Sequence, residues 1–249
     1  MLSPAIIATL AVTVVATSFM SGIFGMAGGM ILMGLLLVIL PVPAAMMMHG
    51  STQLVANIWR AALWYRHVDV RILGLYLAGS AAIFAVFTFV RLVPDRALVY
   101  IVMGLMPFVS MALPHRYAPR ADLPAGAFLS GLISTGFQLL AGVSGPAFDV
   151  FFVRTELTRH QVVATKAACQ SISHFSKLVY FGGLLATGGT VVGWPVMAAA
   201  MVLAIVGTSL SRMVLDRLTD VQFRSWTQRL VMAIGIVYLF QGVRDLFLA

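Results

Sequence analysis

Charge is scarce in this chain. Lys and Arg number 16 and Asp and Glu 8 in 249 residues, 10% together, while hydrophobic residues make up 61%. Soluble domains run to about a quarter charged and about half apolar. A mean hydropathy of +0.99 therefore excludes an ordinary soluble domain and indicates a polytopic membrane protein. Long hydrophilic stretches are also missing, so residues 1–249 are read as a single membrane domain. One cysteine, Cys169, excludes an intramolecular disulfide and a cysteine-based metal site. It lies in an apolar helical stretch and is expected to pack there. The chain has no Gly-x-x-x-x-Gly-Lys-Ser/Thr motif, so no nucleotide-binding P-loop is expected. The segment from Leu2 to Met20 lacks the positive n-region and cleavage site of a signal peptide and is not expected to be one.

Histidines are few as well. His49, His67, His115, His160 and His174 are scattered, and none is followed at i+3 or i+4 by a carboxylate or another histidine. No metal and no other cofactor is expected, and His67, His115 and His160 are read as solvated loop residues. The net charge of +8 and pI near 10.4 come from arginines spread over short loops. That pattern fits positive-inside topology and contact with anionic lipid, and no nucleic-acid partner is expected.

What the chain does have is long apolar runs. A spanning helix needs about 20 apolar residues, and Gly, Pro and Arg divide the sequence into segments near 4–20, 22–40, 44–64, 71–91, 95–112, 123–140, 143–156, 160–182, 188–212 and 222–247. Glycines break 22–40 and 143–156 near their starts, so either is a full span or a half-helix element, giving eight to ten spans. With the loop after the third segment in the cytoplasm, that face collects Arg66, Arg71, Arg116, Arg120, Arg154, Arg159, Arg212, Arg217 and Arg224. The opposite face keeps Arg91, Arg96 and Arg244. Both termini are then expected outside the cytoplasm, on a bacterial inner membrane.

A repeat runs through these segments at an offset of 117 residues. His49, Gln53, Asn57 and Arg60 stand opposite Lys166, Gln170, His174 and Lys177. Gly25, Gly28 and Gly29 stand opposite Gly142, Gly145 and Pro146, and Ala27 opposite Ser144. Repeat 1 covers about 1–113 and repeat 2 about 122–249. Five segments in each half is an odd number, so two such halves in series are expected to be inverted. The loops agree: Arg66 to Arg71 is basic, while its counterpart around Gly182 to Gly189 carries no charge. The expected fold is all-α, with two inverted repeats of about five helical segments and glycine-broken helices near the midplane.

Spacings of four, four and three residues put each polar set on one face of one helix, over about 16 Å. Polar groups at that depth are costly in lipid and should face the bundle interior, one another or water. The bland reading is interhelical hydrogen bonding, with Arg60 and Lys177 snorkelling to opposite surfaces. It does not account for a cationic end group on both helices or for the glycine break ahead of each. Broken helices in inverted-repeat transporters present backbone N–H groups to an anion at the midplane. Gly28, Gly29, Ser144 and Gly145 are the candidates for such donors, and Pro146 suits a helix start. Gly74, Gly79, Gly104, Gly207 and Gly235 are read as packing positions. Gln53, Asn57, Gln170 and His174 are the expected walls of a small-oxyanion site, with Lys166 and Arg60 at its cytoplasmic entrance and His49 and Lys177 at its outer exit. Asp149 is expected either to pair with Lys166 or Lys177, or to carry a coupling proton.

At these residues the chain resembles the TauE/SafE family of sulfite and organosulfonate exporters. The likeness rests on a glycine cluster after the first helix, a basic central connection, the Gly-x-x-Gly-Pro cluster Gly142–Pro146 and the Lys-Ala-x-x-Gln helix from Lys166 to Gln170. Family members usually carry a third glycine where this chain has Ala27. The resemblance implies a two-half membrane transporter, not an enzyme, that moves small sulfur anions such as sulfite or sulfoacetate outward without ATP. Two other classes compete. An anion channel would need a continuous pore. A rhomboid-like intramembrane serine hydrolase would use Ser144 of Gly142-Val143-Ser144-Gly145 with His174, but the residues beside His174 lack the close glycines such enzymes need.

Overall fold

Gly, Pro and Asp set the helix ends. The computed structural model describes residues 4–24, 26–185, 192–215 and 220–248, and the described residues form ten α-helices and no strand. These are α1 (Pro4–Phe24), α2 (Met26–Ile39), α3 (Val42–Leu63), α4 (Val70–Val90), α5 (Arg96–Ala112), α6 (Pro124–Ala141), α7 (Gly145–Asp149), α8 (Arg159–Leu185), α9 (Trp194–Leu215) and α10 (Asp220–Leu248). Asp69 caps α4 by accepting from the Arg71 and Ile72 amides, and Asp95 caps α5 through the Leu98 amide. Pro124 opens α6, where its missing N–H costs nothing. Gly142, at φ +76°, closes α6 in the left-handed conformation that glycine adopts without penalty. Gly25, Arg217 and residues 186–189 of the uncharged loop lie outside the described residues, as do the side chains of His115, Arg212 and Arg224.

Five helices, α1, α4, α6, α9 and α10, are long and apolar enough to cross a membrane. Large apolar side chains stand outward on them, Phe89 and Phe247 among the most exposed. Helices α3 and α8 have 22 and 27 residues, long enough to span, but their polar stripes lower their hydropathy. The two glycine-broken segments are shorter than a full span. Helix α2 has 14 residues, about 21 Å at 1.5 Å per residue. The 143–156 segment resolves into the five residues of α7 and a three-residue 3-10 turn, Val150–Phe152. The half-helix alternative therefore describes this segment.

Helix α6 and α7 make a hairpin: the Ala121 amide, just before α6, donates to the Phe151 carbonyl at 2.8 Å. Helices α1 and α2 make another, with Gly28 so close to α1 that a Cβ there would lie 2.1 Å from the Thr17 carbonyl oxygen. The tips of the two hairpins meet. A Cβ on Gly145 would stand 2.4 Å from Met26 Cβ, and one on Gly142 would stand 2.8 Å from the Met33 and Met46 sulfurs. Helix α2 is the buried centre, with Leu32, Met33, Leu36 and Leu37 fully enclosed. Tyr238 of α10 donates to the Met30 carbonyl at 2.7 Å and Tyr100 of α5 to the Gly34 carbonyl at 3.1 Å, holding it from two sides.

The long helices pack in pairs. Helix α3 runs antiparallel to α8, with Met47 beside Gly182, Gly50 beside Leu178 and the Trp64 ring 4.8 Å from that of His160. Helix α5 runs antiparallel to α10, with Gly104 against Leu239 and Gly242 against Ile101. Helices α4 and α6 run parallel, with Gly79 against the Phe128 carbonyl and Gly136 against Ile83; α1 and α9 do the same, with Gly207 against the Val15 carbonyl and Gly22 against Ser211. Gly79, Gly104, Gly207 and Gly235 thus sit in close helix contacts, as read from the sequence. Gly74 does not, having nothing within 4 Å of where a Cβ would stand.

Candidate functional site

The hairpin tips and the antiparallel pair α3/α8 close around a cluster of buried polar side chains. Its centre is Lys177, which is 0% exposed. The Lys177 Nζ donates to His49 Nδ1 at 2.8 Å and to the Gly142 carbonyl at 2.8 Å. His49 Nε2 donates to the Gly29 carbonyl at 2.9 Å, which fixes the neutral tautomer that leaves Nδ1 as an acceptor. Lys177 makes no ion pair with a carboxylate among the described residues. A charge in a low-dielectric interior costs several kcal/mol unless it is paired or hydrogen-bonded, so this environment is unusual for a lysine.

The second half of the cluster is built on the Gly142 turn. Gln138 Nε2 donates to the Gly142 carbonyl at 2.8 Å and to His174 Nδ1 at 2.9 Å. Its Oε1 accepts from Ser144 Oγ at 3.2 Å, and Ser134 Oγ donates to Ser144 Oγ at 2.9 Å. Ser144 occupies the N-cap of α7 but makes no side-chain capping bond there. The His49 and His174 rings stand 5.6 Å apart. Ser144 is therefore tied to Gln138 and Ser134, and His174 to Gln138, with no Ser144–His174 hydrogen bond of the kind a serine hydrolase needs.

Gly29 and Gln53 complete the cluster on the α2 side. A Cβ on Gly29 would stand 3.6 Å from both the Gln53 carboxamide and His49 Nε2. Gln53 is buried, and its Nε2 has no hydrogen-bond partner. One turn on, Asn57 donates from Nδ2 to the Gln53 carbonyl at 2.9 Å while its Oδ1 is left unpaired. An unsatisfied buried donor or acceptor costs about 1–3 kcal/mol, and these two lie four residues apart on one face of α3.

The sequence-predicted residues divide accordingly. His49 and Lys177, expected at an outer exit, are bonded to each other in the interior, and Lys177 does not snorkel. Gly29, Gln53, Ser144 and His174 join the same cluster. Gly28 and Gly145 form the packing contacts of the hairpins instead. Lys166 is ion-paired with Asp149 and lies 5.9 Å from the Phe152 ring, apart from the cluster. Gln170 and Arg60 are half-buried and make no side-chain hydrogen bond into it. Cys169 is buried, as expected. His67 and His160, read as separate loop residues, face each other with ring centroids 5.3 Å apart, His160 being on the first turn of α8. No group of three metal-ligating side chains occurs among the described residues.

Gln138, Ser134 and Gly142 are members of the cluster that the polar stripes did not reveal. A signal for two of them exists: Ser130, Ser134 and Gln138 repeat at intervals of four on α6, and the 117-residue offset places Thr13, Thr17 and Ser21 opposite them. A neighbouring network, Tyr76–Ser173–Thr135–Ser80, joins α4, α8 and α6 and has every hydroxyl bonded. It acts as interhelical glue. An apolar groove of about 490 Å³ opens between α3, α4 and α8, lined by residues such as Leu54, Ile58, Phe84 and Phe175. Its lining suits acyl chains and is chemically distinct from the polar cluster.

The family model for the sulfite exporter TauE/SafE matches residues 10–238 of the chain. No curated protein and no solved structure matches it.

Proposed function

Because the chain belongs to the sulfite exporter TauE/SafE family over residues 10–238, a family of membrane transporters for sulfur anions, we propose that it is a secondary carrier exporting a small sulfur oxyanion by alternating access. The single observation that supports this most is Lys177, buried without a carboxylate beside a histidine that also faces the Gly29–Gln53 corner. Such a cluster has donors to spare and no resident negative charge, the electrostatic complement of an oxyanion.

In this reading the anion sits where the two hairpin tips meet. Gly29 and the Gly142–Gly145 turn form the floor, with Gly28 and Gly145 setting how closely the tips approach. Gln53, Asn57, Ser144 and His174 are the walls, and Gln170 joins them when the halves move. Lys166, Arg60 and Asp149 form the cytoplasmic approach. The two halves are inverted with respect to each other, a proposal supported by the antiparallel packing of the counterpart pairs α3/α8 and α5/α10. Both termini then face the periplasm of a bacterial inner membrane, and rocking of one half against the other switches access. An unaccompanied monoanion leaving an inside-negative compartment moves down the potential and gains about 2.3 kcal/mol per 100 mV.

The test is sulfite efflux from proteoliposomes at a set potential, with sulfate and a sulfonate as competitors. Saturable efflux is expected, with Gln53→Ala and Gln170→Ala each weakening apparent affinity about tenfold, the effect of one lost hydrogen bond to a charged ligand. Wild-type affinity in both variants would remove the paired-glutamine site. Flux that never saturates would favour a channel.

A further inference from the structure

Lys177 has a hydrogen-bonding inventory that changes with its protonation. A neutral amine carries two N–H groups, and an ammonium carries three. The side chain has two acceptors, His49 Nδ1 and the Gly142 carbonyl, each at 2.8 Å. Those two acceptors match the two N–H groups of a neutral Lys177, and the third N–H of the charged form has no acceptor among the described residues. An anion supplies both missing parts: an oxygen for the third N–H and the counter-charge that a buried ammonium needs.

We propose that a proton binds at the Lys177–His49 pair together with the anion, so that the carrier moves one proton with each anion. The proposal rests on the anion-carrier reading above and names the coupling ion and its site. A monoanion then crosses with no net charge, and a dianion with one negative charge. His49 serves as the second base of the pair, since its Nδ1 already faces the Lys177 nitrogen while its Nε2–H is held by Gly29.

The surroundings leave this pair as the site of the proton. On α8 the titratable neighbours are His174, whose Nδ1 is occupied by Gln138, and Tyr180, whose hydroxyl donates to the Phe87 and Leu92 carbonyls, while α3 carries Arg60 in its last turn, eleven residues past His49. From α4 comes Tyr76, separated by Ser173. Helix α6 brings only Gln138, Ser134 and Thr135, while α2 and the described side chains of α9 bring no titratable group. The 3-10 turn Tyr65–His67 packs at the opposite end of α8, beside His160. Asp149 is engaged by Lys166.

The experiment uses the wild-type protein in proteoliposomes with methanesulfonate, whose sulfonate stays ionised at every working pH, so that any proton moved is the carrier's. An entrapped dye reports internal pH, and potassium with valinomycin sets the potential. At zero potential, an imposed pH gradient is expected to drive methanesulfonate accumulation with one proton per anion. Applying 100 mV without a pH gradient should leave the accumulation ratio near one. Uncoupled movement of a monoanion would instead raise that ratio roughly fifty-fold, the equivalent of 2.3 kcal/mol. That rise, without proton movement, overturns the proton site and leaves the anion carrier standing. Absence of both methanesulfonate and sulfite flux overturns the carrier reading, and the proton site with it.

Two variants locate the proton. Lys177→Gln keeps two N–H donors for His49 and Gly142, and is expected to lose pH-driven accumulation while eluting from a sizing column like wild type. His49→Gln keeps a donor for Gly29 and an acceptor for Lys177 but cannot take a proton, and should move the pH midpoint of coupled flux by about one unit. Wild-type coupling and midpoint in both variants overturns the assignment to this pair.

Discussion

Adjacent glycines at the first hairpin tip have different work. A Cβ on Gly28 would stand 2.1 Å from the Thr17 carbonyl oxygen and 2.4 Å from the Ser21 amide nitrogen, both backbone atoms that cannot turn aside. A Cβ on Gly29 would stand 3.6 Å from Gln53 and His49, an ordinary contact. Gly28→Ala is therefore expected to push α1 from α2 and cost about 1–3 kcal/mol, as overpacking does. Gly29→Ala should keep the fold and weaken anion transport by crowding the floor of the site. Thermal unfolding in detergent and sulfite efflux together separate the two. Equal loss of stability in both variants would mean that Gly29 is only a packing residue. The sequence showed the Gly28-Gly29 pair but not this division, because which face of a helix meets backbone and which meets a ligand depends on where α1 returns. Gln138 was hidden for a related reason: a lone glutamine in an apolar helix reads as glue until the Gly142 turn brings it to His174.

Elements were more legible than contacts. Helix ends followed Pro, Gly and capping Asp closely because those residues act locally through φ or a missing or gained hydrogen bond. The stripes on α3 and α8 were visible because helical spacing is itself local. What spacing could not give is register between helices. Antiparallel packing brings His49, at the start of one stripe, to Lys177, at the end of the other, and leaves Lys166 to Asp149. The connection between the halves has its own lock. Arg120 bridges Asp122 at 2.6 Å and Glu156 at 2.9 Å, tying the segment before α6 to the one before α8. The Arg120 guanidinium holds the Asp122 carboxyl below its ordinary range, chiefly by hydrogen bonding. A carboxyl lowered in the folded state contributes stability above its unfolded pKa of about 3.9 and loses that contribution as pH falls through the lower folded value. The melting temperature of wild type should thus exceed that of Arg120→Gln by a constant margin from neutral pH down to about pH 4. Below that, the margin should shrink. A margin that stays unchanged in stronger acid would show that Arg120 acts through packing alone.

At the scale of the whole molecule, the decisive question is whether the halves are inverted. The offset repeat in the sequence pairs Arg66 with Gly183. Arg66 lies in the 3-10 turn after α3, among the basic connections that gather at the end where α6 and α8 begin. Gly183 lies near the last turn of α8, is exposed, and has nothing within 4 Å of where a Cβ would stand. Both positions accept a cysteine without steric conflict, and Cys169, the one native thiol, is buried away from an aqueous reagent. Inversion requires the two counterparts to lie on opposite faces of the membrane, whereas halves related by a parallel repeat would put them on the same face. In a Cys169→Ser background, a membrane-impermeant maleimide added to intact spheroplasts should label Gly183→Cys and spare Arg66→Cys, and inverted vesicles should reverse the result. The arginine distribution supplies the expected sign, since positive-inside topology would put the basic end in the cytoplasm. Labelling of both cysteines from one side would end the inverted-repeat reading and, with it, the symmetry that lets one rocking motion close either entrance. Labelling in the opposite sense would keep the inversion but exchange entrance and exit, moving Lys166 and Asp149 to the periplasmic side.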